Sequence, residues 1–135
     1  MRFSYFEHDA DVGVIGHGKT VEQAFEAAAQ AVFAIMTNLD TVQVRDEITV
    51  AFEEADLEFA LVIWINLILD KAREWGMVFN VFHLQRNGQQ WFARIDGEKW
   101  RDALERRIEV KGATFTMLSV RQVKGIWVAR CVVDV

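Results

Sequence analysis

The stretch Phe59-Ala60-Leu61-Val62-Ile63-Trp64-Ile65-Asn66-Leu67-Ile68-Leu69 constrains this chain more than any other, because a helix made of it is apolar on nearly every side. Such a helix lies centrally, covered by sheet or partner on several faces. Asp56 is placed to cap its start, and Gly76 to end it after Trp75. Asn66 breaks the run; buried, it needs a hydrogen-bond partner, and it reads as a structural anchor. The run is also too short for the roughly 20 residues of a membrane span.

A second helix opens at Thr20. Thr20-Val21-Glu22-Gln23 has the form of a capping box. Val21, Ala24, Phe25, Ala28, Val32, Ile35 and Met36 recur at helical spacing, with Glu22, Gln23, Glu26 and Gln30 opposite. Elsewhere the period is two. Phe3–Phe6 and Val12–Ile15 read as strands, as do Val42 and Val44, then Ile48, Val50 and Phe52. Val78–Leu84 and Trp91–Ile95 form a hairpin across Asn87-Gly88, a type I′ signal. Ile108–Val110, Phe115–Val123 and Ile126–Val133 complete the sheet, with Lys124-Gly125 as a turn. No proline, linker or repeat marks a boundary, so residues 1–135 read as one α+β domain, two helices packed on a mostly antiparallel sheet.

The chain carries a formal net charge of −5. Nucleic-acid binders present a basic face, and here only Arg101, Arg106, Arg107 and Lys111 cluster weakly, which disfavours direct RNA recognition and leaves docking on a basic protein open. Cys131 is the single cysteine and lies in the apolar run Trp127–Val133, where a buried hydrophobe is expected rather than a reactive thiol. A lone cysteine and an N-terminus that turns acidic at Glu7 without a signal-peptide pattern point to the cytoplasm.

Gly13-Val14-Ile15-Gly16-His17-Gly18-Lys19-Thr20 satisfies the phosphate-loop pattern, and a helix begins where that motif requires one. Its context argues against a nucleotide. Asp9 and Asp11 precede it and repel a triphosphate, Val14 and Ile15 suit a strand, and alternating β and α units are missing.

His8-Asp9-Ala10-Asp11 places two acids and an imidazole in one short loop, and Asp134 stands beside Val135, whose main chain supplies a carboxylate at the end. Ca²⁺ and Mg²⁺ take oxygen ligands of these kinds. If the last strand pairs near the first loop, Asp11, Asp134 and Val135 make an oxygen-rich site; otherwise they are ordinary loop acids and a solvated end. His17, His83, Ser4 and Ser119 assemble into no catalytic pattern, and an acid/base enzyme built on Asp9 and His8 has only their proximity behind it.

Several segments in order resemble the archease family, over essentially the whole chain. They are Glu7-His8-Asp9-Ala10-Asp11-Val12-Gly13, Gly18-Lys19-Thr20, Glu22-Gln23-Ala24-Phe25, Met36-Thr37-Asn38-Leu39-Asp40-Thr41-Val42, Trp64-Ile65-Asn66-Leu67-Ile68-Leu69, Glu109-Val110-Lys111 and Val132-Val133-Asp134-Val135. The resemblance implies a noncatalytic accessory factor for the GTP-dependent RNA ligase of tRNA splicing and RNA repair. It would promote guanylylation of that ligase and multiple turnover. It implies a divalent ion, often Ca²⁺, held by Asp11, Asp134 and Val135. This sequence departs from the family pattern in three places: Asp9 stands for a threonine, Asn38 for an aspartate, and Thr116 for the histidine of Thr-Tyr-His. Two other functions compete, a nucleotide binder through Gly13–Thr20 and a chaperone-like adaptor with another partner.

Overall fold

The computed structural model describes residues 2–135. Strands β1 (Phe3–His8) and β2 (Asp11–Gly18) lead into helix α1 (Val21–Met36). A single 3₁₀ turn at Leu39–Thr41 and strand β3 (Asp46–Glu53) precede helix α2 (Leu57–Trp75). Strands β4 (Met77–Asn87), β5 (Gln90–Lys99), β6 (Gly112–Ala113), β7 (Ser119–Val123) and β8 (Ile126–Asp134) follow. The expected sheet is in fact two, both antiparallel: β1-β2-β8-β6 with β7 also on β8, and β3-β5-β4.

Both helices touch strands of both sheets, which is why the middle of α2 is apolar all round. Asp56 Oδ1 accepts from the Phe59 amide at 2.9 Å, and Gly76 closes α2 at φ 62°. Trp64, fully buried, donates its indole N–H to the Phe25 carbonyl at 2.9 Å and so ties the helices together. Asn66 finds its partner outside the helix, accepting the Ala113 amide at 2.8 Å and thereby anchoring β6. At α1 the Thr20 hydroxyl accepts from the Gln23 amide at 3.1 Å, but Gln23 Oε1 takes the Lys19 amide at 3.0 Å, one residue before the donor that a reciprocal capping box uses.

The fold leaves no room for a phosphate loop at Gly13–Thr20. Residues 11–18 form an extended strand paired on both edges, with β1 and β8, so their amides serve the sheet instead of curling round an anion. The glycines serve packing. A Cβ on Gly16 would fall 2.2 Å from the Ala24 carbonyl oxygen and 2.5 Å from the Ala28 nitrogen, both backbone atoms of α1. A Cβ on Gly13 would meet the Phe6 ring at 2.2 Å.

Four expectations for the strands also change. Residues 42–45, with Val42 and Val44, lie outside any strand, and β3 begins only at Asp46. Residues 108–110 form no strand: Val110 is buried while Ile108 is 57% exposed, and the flanking Arg107 and Lys111 amides donate to Met36 and Asp134 carbonyls at 2.9 and 2.7 Å. Phe115–Val123 shortens to Ser119–Val123, because Met117 takes φ 53° and breaks the extended backbone. In the β4–β5 hairpin Asn87 pairs with Gln90, so the turn is Gly88-Gln89, with only Gly88 at positive φ. The type I′ backbone occurs instead at Lys124-Gly125, at φ 52° and 82° between the paired Val123 and Ile126. Among the described residues no helix is long and apolar enough to cross a membrane.

Glu98 is the main charge inside the fold, 2% exposed. It accepts from Arg101 Nε at 2.7 Å and the Gln43 amide at 2.6 Å. The Arg101 hydrogen bond, opposed by desolvation and helped by the Gln43 amide, holds its carboxyl below the ordinary range. A depressed carboxyl stabilises the fold above its unfolded pKa, and that contribution disappears as the pH falls through the lower folded value. Glu98→Gln is therefore expected to lower the urea midpoint at pH 7. The gap to wild type should narrow once the pH drops below about 4.

Candidate functional site

Strand register decides whether the two ends of the chain meet. Between β2 and β8 the pairing runs from Gly18 with Trp127 to Val12 with Val133 and stops there; the same register carried one residue further would set Asp11 opposite Asp134. On either side His8 pairs with Asp11, and Asp134 with Gly112. Directly opposed residues of an antiparallel sheet project from the same face. His8, Asp11 and Asp134 therefore stand in one row across β1, β2 and β8. Val14, three residues along β2 and so on the opposite face from Asp11, is fully buried, so the row lies on the face turned from α1.

This end is held firmly. Lys111 donates its amide to the Asp134 carbonyl, fixing β8 against the segment that enters β6. Val135 packs its side chain against the core, which keeps the main chain beyond Asp134 next to the sheet. Asp11 and Val135 are half-buried and Asp134 is exposed. At the hairpin tip Asp9 takes φ 52°, a left-handed backbone that Asp adopts readily and a β-branched threonine resists. The Asp9 carboxylate, 93% exposed, lies 3.8 Å from His8 Nδ1.

Carboxylates directly opposite each other across strands repel, and carboxylate oxygens are hard donors of the kind Ca²⁺ and Mg²⁺ take. Among the described residues no group of three or more His, Cys, Asp or Glu side chains is arranged for a metal, so His8 is not drawn in. A cation here would take its remaining ligands from main-chain oxygen, including that of Val135, and from water. The donor set fits a hard divalent ion and suits neither a zinc site nor a thiolate one.

The other singled-out residues are accounted for by structure. Cys131 is buried, and desolvation pushes its thiol up to about 12. His83 is exposed on β4. Asn38 caps the 3₁₀ turn by accepting the Asp40 amide at 3.1 Å, work an aspartate does equally well. Thr116 is exposed and its amide donates to Thr114 Oγ1 at 3.3 Å. Of the basic cluster, Arg101 serves Glu98, while Arg106 and Arg107 line a cavity with Arg73. Sequence reading missed Arg73 there, since nothing in the local pattern of α2 links it to residues more than thirty positions later.

An antiparallel α+β domain with two interleaved helices and an acidic pair at one sheet end is thus defined. The Archease protein family model matches residues 3–135. A protein archease of Sulfolobus acidocaldarius is 34% identical, the alignment covering 99% of each chain, and one of Thermococcus kodakarensis is 32% identical, covering 98% of each. Among solved structures, protein 1598 of Methanobacterium thermoautotrophicum superposes with a TM-score of 0.84 at 27% identity, over 99% of both chains. An archease of Thermotoga maritima described as a possible chaperone shares the fold, with a TM-score of 0.71 at 17% identity over 96% of this chain and 94% of that one. The chain belongs to the archease family.

Proposed function

We propose that this protein is a noncatalytic, metal-dependent activator of a GTP-dependent RNA ligase of tRNA splicing or RNA repair. The reading is supported by family membership together with the β2–β8 register, whose last pair, Val12 with Val133, stands immediately before Asp134 and after Asp11. Opposed carboxylates cost stability unless a cation lies between them. That cost is most simply explained by a site for a divalent ion, Ca²⁺ in the first instance, with Val135 contributing main-chain oxygen.

When bound, the ion supplies positive charge at an otherwise acidic tip. The residues of this chain do the rest: Asp11 and Asp134 position that charge, and the Lys111–Asp134 bond and Val135 packing keep it at the rim of a rigid sheet. A tip of that kind, presented to the ligase near its nucleotide site, favours the conformation competent for guanylylation. The acidic balance of the chain fits a protein partner better than direct contact with RNA. Asp9, outside the strand row, adds charge that strengthens long-range attraction of the cation.

The test is single-turnover guanylylation of the RNA ligase from the same organism, with wild type and with Asp11→Ala. Wild type is expected to accelerate the step in the presence of Ca²⁺, and Asp11→Ala to leave the ligase at its unassisted rate. Equal stimulation by both proteins would remove the ion from the mechanism, and no stimulation by either would remove the ligase.

A further inference from the structure

A cavity of about 450 Å³ opens between the last turn of α2 and the segment from Trp100 to Val110. That volume is typical of small-ligand sites. Its floor is apolar and buried, formed by Leu69, Met77 and Val110. Its rim is cationic, with Arg73, Arg106 and Arg107 against a single acid, Glu109, in a protein whose net charge is −5.

The arginines are not equally committed. Arg73 reaches Asp70 at 3.0 Å and the Val110 carbonyl at 3.4 Å. Arg107 reaches Glu105 at 3.1 Å and the Ala34 carbonyl at 3.5 Å. Both acid partners are well exposed, and exposed pairs of this kind hold weakly. Arg106 has no ion pair or hydrogen bond among the described residues. Its guanidinium lies 4.1 Å over the Trp100 ring, which fixes the plane of the fork while leaving its donors open. Both helices also end here, at Met36 and Gly76, and their carbonyl ends disfavour an anion; the guanidiniums offset that field.

We propose that this cavity binds a small amphipathic anion, an apolar body seated on Leu69, Met77 and Val110 with a carboxylate or phosphate gripped by Arg106. Exposed Ile108, beside Arg106, covers the apolar body from above. The charge pattern selects the head group: a cationic or neutral amphiphile of equal size gains the floor and loses the grip. The site involves neither Asp11 nor Asp134, and it stands or falls independently of the ligase.

The test is a nuclear magnetic resonance titration of the full chain with octanoate, phenyl phosphate, octylamine and inorganic phosphate. Octanoate or phenyl phosphate is expected to shift the Trp100 indole and Ile108 amide signals saturably, and the tighter of the two names the head group. Octylamine and inorganic phosphate are expected to leave them in place. Arg106→Glu, at an exposed position, keeps the fold by circular dichroism and weakens the anion by about tenfold or more. The proposal is overturned if neither anion binds, if octylamine binds as well as octanoate, or if Arg106→Glu leaves the affinity unchanged.

Discussion

Gly16→Val is expected to unfold the domain or bring it close to unfolding. The position lies mid-strand in β2, where α1 crosses so closely that a Cβ would be 2.2 Å from the Ala24 oxygen and 2.5 Å from the Ala28 nitrogen. Those are backbone atoms of a helix with nine buried residues, so the clash is relieved only by lifting α1 from the sheet. Overpacking a tight core costs about 1–3 kcal/mol where side chains yield, and more here because none can. Against a typical stability of about 5–15 kcal/mol the loss is severe. The measurement is the urea midpoint by circular dichroism. Lys19→Ala, exposed in the same phosphate-loop pattern, should stay within about 0.5 kcal/mol of wild type. If Gly16→Val were as stable as wild type, the close crossing of α1 over β2 would be wrong.

The second large effect is on metal affinity, and it has two signs. Asp134→Asn is expected to abolish measurable Ca²⁺ binding by calorimetry, since one of two carboxylate ligands becomes a neutral amide. In metal-free protein the same substitution should raise thermal stability slightly, by about 0.2–1 kcal/mol, because it relieves the repulsion with Asp11 across the strands. Adding saturating Ca²⁺ reverses the order: at 100 times its dissociation constant the ion stabilises wild type by about 2.7 kcal/mol and the variant not at all. A merely structural Asp134 predicts no such crossing. A variant that loses stability equally with and without Ca²⁺ would remove the ion from the account of this site.

How much of this was legible in the sequence follows from how local each signal is. Asp56, Gly76 and Thr20 announce helix ends through bonds made within a few residues, and all three mark those ends, although the Gln23 half of the capping box at Thr20 goes to the Lys19 amide instead. Asn66 was readable as an anchor, but its partner Ala113 lies 47 positions away and only the fold discloses it. Turn chemistry misled at Asn87-Gly88, where strand pairing overrides the dipeptide and shifts the turn by one residue. The strand expected at 108–110 shows the limit of a three-residue pattern: one buried valine suffices to create it. Nothing local separates one sheet from two, because that division depends on which strand faces each side of α2. At the candidate site the acids Asp11 and Asp134 stood out by chemistry, and the family resemblance pointed to the same pair. Their opposition is a matter of register, which sequence does not state. Gly13 and Gly16 show a motif of the right letters that its sequence context already argued against; what the sequence did not disclose is that these glycines admit a ring and a helix.

The proposed function requires Asp11 and Asp134 to share one cation. A crystal of wild type grown with Ca²⁺, examined by long-wavelength anomalous diffraction, tests this most directly. One strong peak per chain is expected, with oxygens of Asp11 and Asp134 within about 2.6 Å and a main-chain oxygen of Val135 in the same shell. A peak elsewhere, or Asp11 and Asp134 turned apart at saturating Ca²⁺ with only water between them, would contradict it.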